Sequence, residues 1–250
     1  MNLPIQVVEA IQKRKCLLVV GRRATLEAVK GQGGTFPGEK RLAQLLVGRK
    51  VSLQEALAEV EAKEGKEGLV AALRGHLGAE EQEPGAFHKK VVENFDLVFS
   101  TCWDPLLARA AAEAKRPFSL LQRGEDLPQP DPEKFTLYNF WGDFENQANF
   151  AATPQHRREV VLPEGIRHYL RRLLRGHVLL FVGFRPDEQE FQDLFDELVE
   201  GFGGELPRTH WAVAQGRITD IQWQKWVWRG MLLFTADPEE LMGAVEQVDA

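Results

Sequence analysis

The sequence predicts an α/β fold: a Rossmann-like, mostly parallel sheet flanked by helices, with an all-helical insertion over residues 39–93. Three observations carry this. Cys16-Leu17-Leu18-Val19-Val20 and His177 to Val182 are short continuous apolar runs closed by Gly21 and Gly183, the pattern of strands buried on both faces. Strand-like runs alternate with helical ones, as the crossover connections of a parallel sheet require. Residues 39–93 show helical periodicity without convincing strands, so they add helices between the first two strands within one domain spanning 1–250.

Taken in order, residues 4–15 form a helix opening at Pro4, with Ile5, Val8 and Ile11 at a spacing of three. The first strand, 16–20, runs into a loop over 21–38 rich in glycine. Within the insertion, Ser52 and Glu55 fit a capping box, and breaks near Gly65 and Gly75–Gly85 divide it into several helices. A strand at Phe95 to Phe99 precedes a helix over about 104–115 and a short strand at Phe118 to Leu121. Pro128, Pro130 and Pro132 mark a loop before a strand at Phe135 to Phe140. A basic helix over 163–175 leads to the strand ended by Gly183, and an acidic helix follows from Asp187 to about Glu200. Strands at Thr209 to Ala214 and Met231 to Phe234 come next, and Asp237-Pro238 opens a C-terminal helix. Trp223 and Trp226 share a helical face and are assigned to the core, whereas Trp228 is a candidate interface anchor.

A chain of 250 residues buries enough apolar surface to fold without disulfides. Its two cysteines, Cys16 and Cys102, sit in or beside apolar runs, which points to a reducing, cytoplasmic setting and excludes a four-cysteine zinc module. The six histidines have no ligand spacing, so no metal is expected. A net charge of −6 argues against wholesale nucleic-acid binding. The N-terminal order of apolar then charged residues is the reverse of a signal peptide, and the apolar run at Val178–Phe184 is too short to span a membrane.

In a parallel sheet, ligands sit beyond the carboxyl ends of the strands. Four stretches then line the cleft: Gly21–Thr25, Ser100–Asp104, Trp141–Asp143 and Gly183–Glu188. Their order resembles the motifs of the sirtuin-like family. Leu17 to Thr25 stand where the family has a strand and Gly-Ala-Gly-Ala-Ser. Phe99-Ser100-Thr101-Cys102-Trp103-Asp104 stand for Thr-Thr-Asn-Tyr-Asp, Trp141-Gly142 for His-Gly, and Phe181 to Phe184 for an apolar strand ending Gly-Tyr-Ser, with Glu188 and Phe191 downstream. The resemblance implies NAD or an ADP-ribose-like nucleotide as ligand, held by Gly21, Arg22, Arg23, Ala24, Thr25, Thr101, Asp104, Gly142, Gly183 and Phe184. Active members of the family cleave the nicotinamide–ribose bond, for deacylation or to destroy NAD in bacterial antiviral defence.

The reactive positions depart from that pattern. Arg23 replaces a glycine that admits a pyrophosphate, so Arg22 and Arg23 either meet phosphates with their side chains or face water beside a closed loop. Cys102 replaces an amide that both donates and accepts, and reads as an inert buried thiol rather than a nucleophile. Trp141 replaces the general base. Indole cannot accept a proton, which leaves Asp143, Glu145 or Cys102 as substitutes. The preferred expectation is therefore a catalytically degenerate domain, a nucleotide sensor or protein scaffold in a defence or regulatory assembly with a protein partner or a second copy of itself. One alternative is an NAD+ hydrolase using a non-histidine base such as Asp143. Another is a nucleic-acid module using Arg167, Arg171 and Arg175, which share a helical face at a spacing of four.

Overall fold

The computed structural model describes residues 4–25, 37–77, 82–122, 125, 128–144, 149–159, 164–199, 209–214, 218–236 and 241–242. In chain order the elements begin with α1 (Ile5–Gln12), β1 (Cys16–Val20), α2 (Glu39–Val47), α3 (Leu53–Leu77) and α4 (Ala86–Asn94). Then come β2 (Leu97–Ser100), α5 (Leu106–Glu113), β3 (Phe118–Gln122), β4 (Phe135–Asn139), α6 (Pro154–Glu159) and α7 (Glu164–Leu174). The last are β5 (Val178–Phe184), α8 (Gln189–Val199), β6 (His210–Ala214), α9 (Asp220–Trp228) and β7 (Met231–Phe234). Most of the C-terminal helix expected from Asp237, most of the 21–38 loop and Glu145 lie outside the described residues; Leu241 and Met242 of that helix are helical and buried.

All seven strands pair in parallel in the order β3-β4-β2-β1-β5-β6-β7. The alternation of side chains along a strand divides the core in two. Leu17, Val19, Phe99, Tyr138, Leu179 and Phe181 face the side covered by α7, α8 and Trp226. Cys16, Leu18, Val20, Val98, Leu180 and Val182 face the side covered by α1, α4 and α5. A third apolar cluster joins α2 and α3 to Trp103, Leu106, Phe144 and Phe150. Within the helical stretch, α4 packs on the sheet through Phe87, Val91 and Val92, while α2 and α3 form a separate module beside the sheet's rim.

The local signals work where they are chemical. Ser52 and Glu55 form their capping box, with Glu55 N–H donating to Ser52 Oγ at 3.2 Å and Ser52 N–H donating to Glu55 Oε2 at 2.9 Å. Gly65, at φ +74° and ψ 179°, leaves the helical conformation, so α3 is two helices joined across a kink at the break expected there.

Two expectations change. Gly183 does not end β5: the strand runs on to Phe184, with a shift in its register against β6 between Phe181 and Phe184. At φ +85° Gly183 adopts a conformation that only glycine enters cheaply, so the strand bulges instead of stopping. Trp223 is 45% exposed, not core, because only Trp226 reaches Phe191 and Phe195 from α9. Trp228 is 88% exposed.

Candidate functional site

Strands β4, β2, β1 and β5 are consecutive neighbours, so the four stretches that follow them meet along one rim. The strand order reverses between β1 and β5, the usual position of a ligand crevice. Gly21 and Gly183 face each other there. A Cβ on Gly21 would stand 2.6 Å from the Gly183 carbonyl oxygen, and one on Gly183 would stand 2.4 Å from the Ala24 nitrogen. These glycines let two strand ends and a helical turn, Arg22–Thr25, close on one another. Their freedom serves this backbone packing.

Arginines occupy the rim above them. Arg22 Nη2 donates to Glu39 Oε1 at 3.3 Å and to Glu190 Oε2 at 3.2 Å, and its guanidinium lies 4.7 Å over the Trp103 ring. Arg23 Nη2 donates to Glu39 Oε2 at 2.8 Å and to Glu188. Glu190 also accepts from Arg157 Nη1 at 2.8 Å, and Arg157 lies 4.6 Å over the Trp141 ring. On the far side Arg185 bridges Asp187 and approaches Glu188 at 4.0 Å. Four arginines and four carboxylates thus alternate in one chain, Asp187-Arg185-Glu188-Arg23-Glu39-Arg22-Glu190-Arg157, across the carboxyl ends of β1 and β5. Burial alone would push the Glu190 carboxyl up; Arg22 and Arg157 more than offset this and hold it below the usual carboxylate range.

Beneath this chain a polar thread runs into the core. Gly85 N–H donates to His88 Nδ1 at 3.0 Å, which places the ring proton on Nε2, 3.4 Å from Thr25 Oγ1. Thr25 Oγ1 lies 3.6 Å from Cys102 Sγ. Burial keeps His88 neutral, pulled down to about 4, and pushes the Cys102 thiol up to about 12. A thiol so disposed stays protonated and unreactive.

The remaining candidates divide. Arg22, Thr25 and Asp104 line a common cleft with Glu39, Leu42, Leu77 and Trp103, between the helical module and the sheet. Asp104 accepts from Leu106 N–H at 3.2 Å, and burial raises it to about 6, with Asp143 adding to the rise. Asp143 is buried close by. Thr101 donates from both its N–H and its hydroxyl to the Val20 carbonyl, Ala24 is wholly buried, and Phe184 stacks on Phe191 at 5.4 Å inside the core. Gly142, at φ +64°, packs against the Asn149 carbonyl. Arg23, Cys102 and Trp141 therefore do not share one pocket: Arg23 is held by carboxylates, Cys102 lies under Thr25, and Trp141 lies under Arg157. Arg167 and Arg171 are half-buried on α7, Arg175 stands just past its end, and each has partners within the chain.

The sequence reading missed Glu39, Glu190 and His88. Glu190 lies 168 positions from Arg22, and no local pattern links them.

The model of the SIR2-like domain matches residues 96–232, more than half of the chain. The chain belongs to the SIR2-like domain family. Solved structures similar to this SIR2-like domain include a Sir2 homologue in complex with NAD, at 12% identity and TM-score 0.56, covering 99% of this chain and 94% of that one. Another is a Sir2 homologue mutant with 2′-O-acetyl ADP ribose, at 13% identity and TM-score 0.55, covering 98% and 96%. A third is a Sir2 enzyme at 12% identity and TM-score 0.54, covering 100% and 98%. Among curated proteins no sequence matches. These likenesses establish the SIR2-like fold. Cys16 and Cys102 are free thiols buried in the sheet core, and the described residues hold no group of three His, Cys, Asp or Glu suited to a metal. Among the described residues no helix is long and apolar enough to cross a membrane.

Proposed function

We propose that this SIR2-like domain binds an NAD- or ADP-ribose-like nucleotide at its rim without cleaving it, and serves as a sensor or scaffold in a regulatory or defence assembly. The observation that carries the reading is Trp141. It stands at the family's base position, buried, with the Arg157 guanidinium stacked on its face and Glu190 behind that guanidinium. An indole offers only a donor, and a cation beside it disfavours any neighbouring base that must gain a proton. Loss of a positioned base removes roughly 10²–10⁴-fold of rate.

The nucleotide fits in part. Arg22 and Arg23 each keep a buried Nε–H without a partner among the described residues, so their donor sets are unfilled and suit phosphate oxygens. The backbone cradle is closed, because Gly21 and Gly183 pack on each other. Phosphates would be gripped by guanidinium groups, and the ribose half of the ligand would find no base. The NAD and ADP-ribose bound in similar Sir2 structures support the ligand class.

Incubation of the pure chain with NAD, with nicotinamide release followed by chromatography and ADP-ribose binding by calorimetry, tests this. Binding without turnover is expected; sustained release over many turnovers overturns the degenerate reading. A second reading, an NAD+ hydrolase, draws on the buried carboxylate pair. Asp104, held near 6 beside Asp143, is a protonatable acid at the cleft. It requires Asp143→Ala to abolish any release observed.

A further inference from the structure

Glu39 is the first residue of α2 and ties that helix to both rim arginines, with one oxygen on Arg22 and the other on Arg23. No side chain caps this end of α2, since Gly38 precedes it. Three carboxylates, Glu39, Glu188 and Glu190, neutralise Arg22, Arg23 and Arg157. An oxyanion added at Arg22 and Arg23 without the departure of a carboxylate would set like charges in contact, which is destabilising. One carboxylate must therefore leave. Glu190 is deeply buried and shared with Arg157, and Glu188, 28% exposed, meets Arg23 but not Arg22, whereas Glu39 covers both arginines, is 27% exposed and sits at the uncapped end of a nine-residue helix.

We propose that Glu39 is an internal competitor for the phosphate site: a phosphate-bearing ligand displaces it from Arg22 and Arg23, and this frees the first turn of α2, so that occupancy of the rim is reported at the surface of the helical module. This rests on the nucleotide-binding reading above. A ligand that binds only the open form has its affinity lowered by the fraction of molecules that are open.

The test uses the full chain, ADP-ribose as probe, and the variants Glu39→Gln and Glu39→Asp. If Glu39 is latched about nine-tenths of the time, its release raises ADP-ribose affinity roughly tenfold. Glu39→Asp keeps the charge but is one methylene too short to bridge both arginines, so it separates latch release from simple charge removal. The expected result is tighter binding by both variants. Hydrogen exchange of the α2 amides should be faster in both variants without ligand, and in the natural chain on adding ADP-ribose. Tighter binding by Glu39→Gln alone, or unchanged α2 exchange on ligand addition, overturns the latch and leaves the binding reading standing. Absence of ADP-ribose binding by all three proteins overturns both.

Discussion

Replacing Glu190 by alanine removes the carboxylate shared by Arg22 and Arg157, and the consequence follows from burial. Its side chain is only 9% exposed, and the two guanidinium groups are 17% and 12% exposed. Breaking a buried ion pair by deleting one partner typically costs ~3–5 kcal/mol, because the charge left behind is desolvated and unpaired. Here the partners keep something. Arg22 retains Glu39 and the Trp103 face, and Arg157 retains the Ala152 carbonyl at 2.9 Å and the Trp141 face. The lower end applies, about 3 kcal/mol. For a chain of this size each kcal/mol moves Tm by roughly 2–4 °C, so Glu190→Ala should melt about 6–12 °C lower. Glu188→Ala is the internal comparison. Its side chain is 28% exposed and its partner Arg23 keeps Glu39, so a loss of at most about 1 kcal/mol is expected. Urea titration followed by circular dichroism, with thermal melts alongside, measures both. Equal, small losses for the two variants would show that the arginine–carboxylate chain is solvated, and would remove the argument that a ligand must exchange with it.

Two further outcomes are expected. Asp104 is raised from 3.8 to about 6, so the stability it contributes is full below about pH 4 and is lost as pH rises through 6. Asp104→Asn keeps an acceptor for the Leu106 N–H and cannot ionise. It should match the natural chain near pH 4 and exceed it by about 2 kcal/mol at pH 7, after allowance for the group's partial exposure; a difference that does not vary with pH in urea titrations would show that Asp104 ionises freely. Cys16 and Cys102 are free, buried thiols pushed up by burial. Neither should react with iodoacetamide in the native state and both should in denaturant, as read by mass spectrometry, and rapid native labelling of Cys102 would restore it as a candidate nucleophile.

The amino-acid sequence by itself determined the parallel α/β fold, because its strand signal is contained in a few residues: Cys16–Val20 and Val178–Phe184 are apolar throughout and must be buried on both faces. It also placed four stretches at one rim, since strand polarity alone puts them there. The Ser52–Glu55 box was legible for the same reason, being chemistry within three residues. Only the tertiary structure decided what the rim residues do. Gly21 looks like an opening for phosphate until Gly183 is brought against it, and Arg22 and Arg23 look free until Glu39 and Glu190 arrive from 17 and 168 positions away from Arg22. Trp141 can be read in one letter where the resemblance places a base, but the guanidinium that covers it comes from Arg157 on a separate helix. Burial patterns follow a local period and can be read along the chain. Charge pairing depends on distances in space, and those exist only once the sheet has brought its strand ends together.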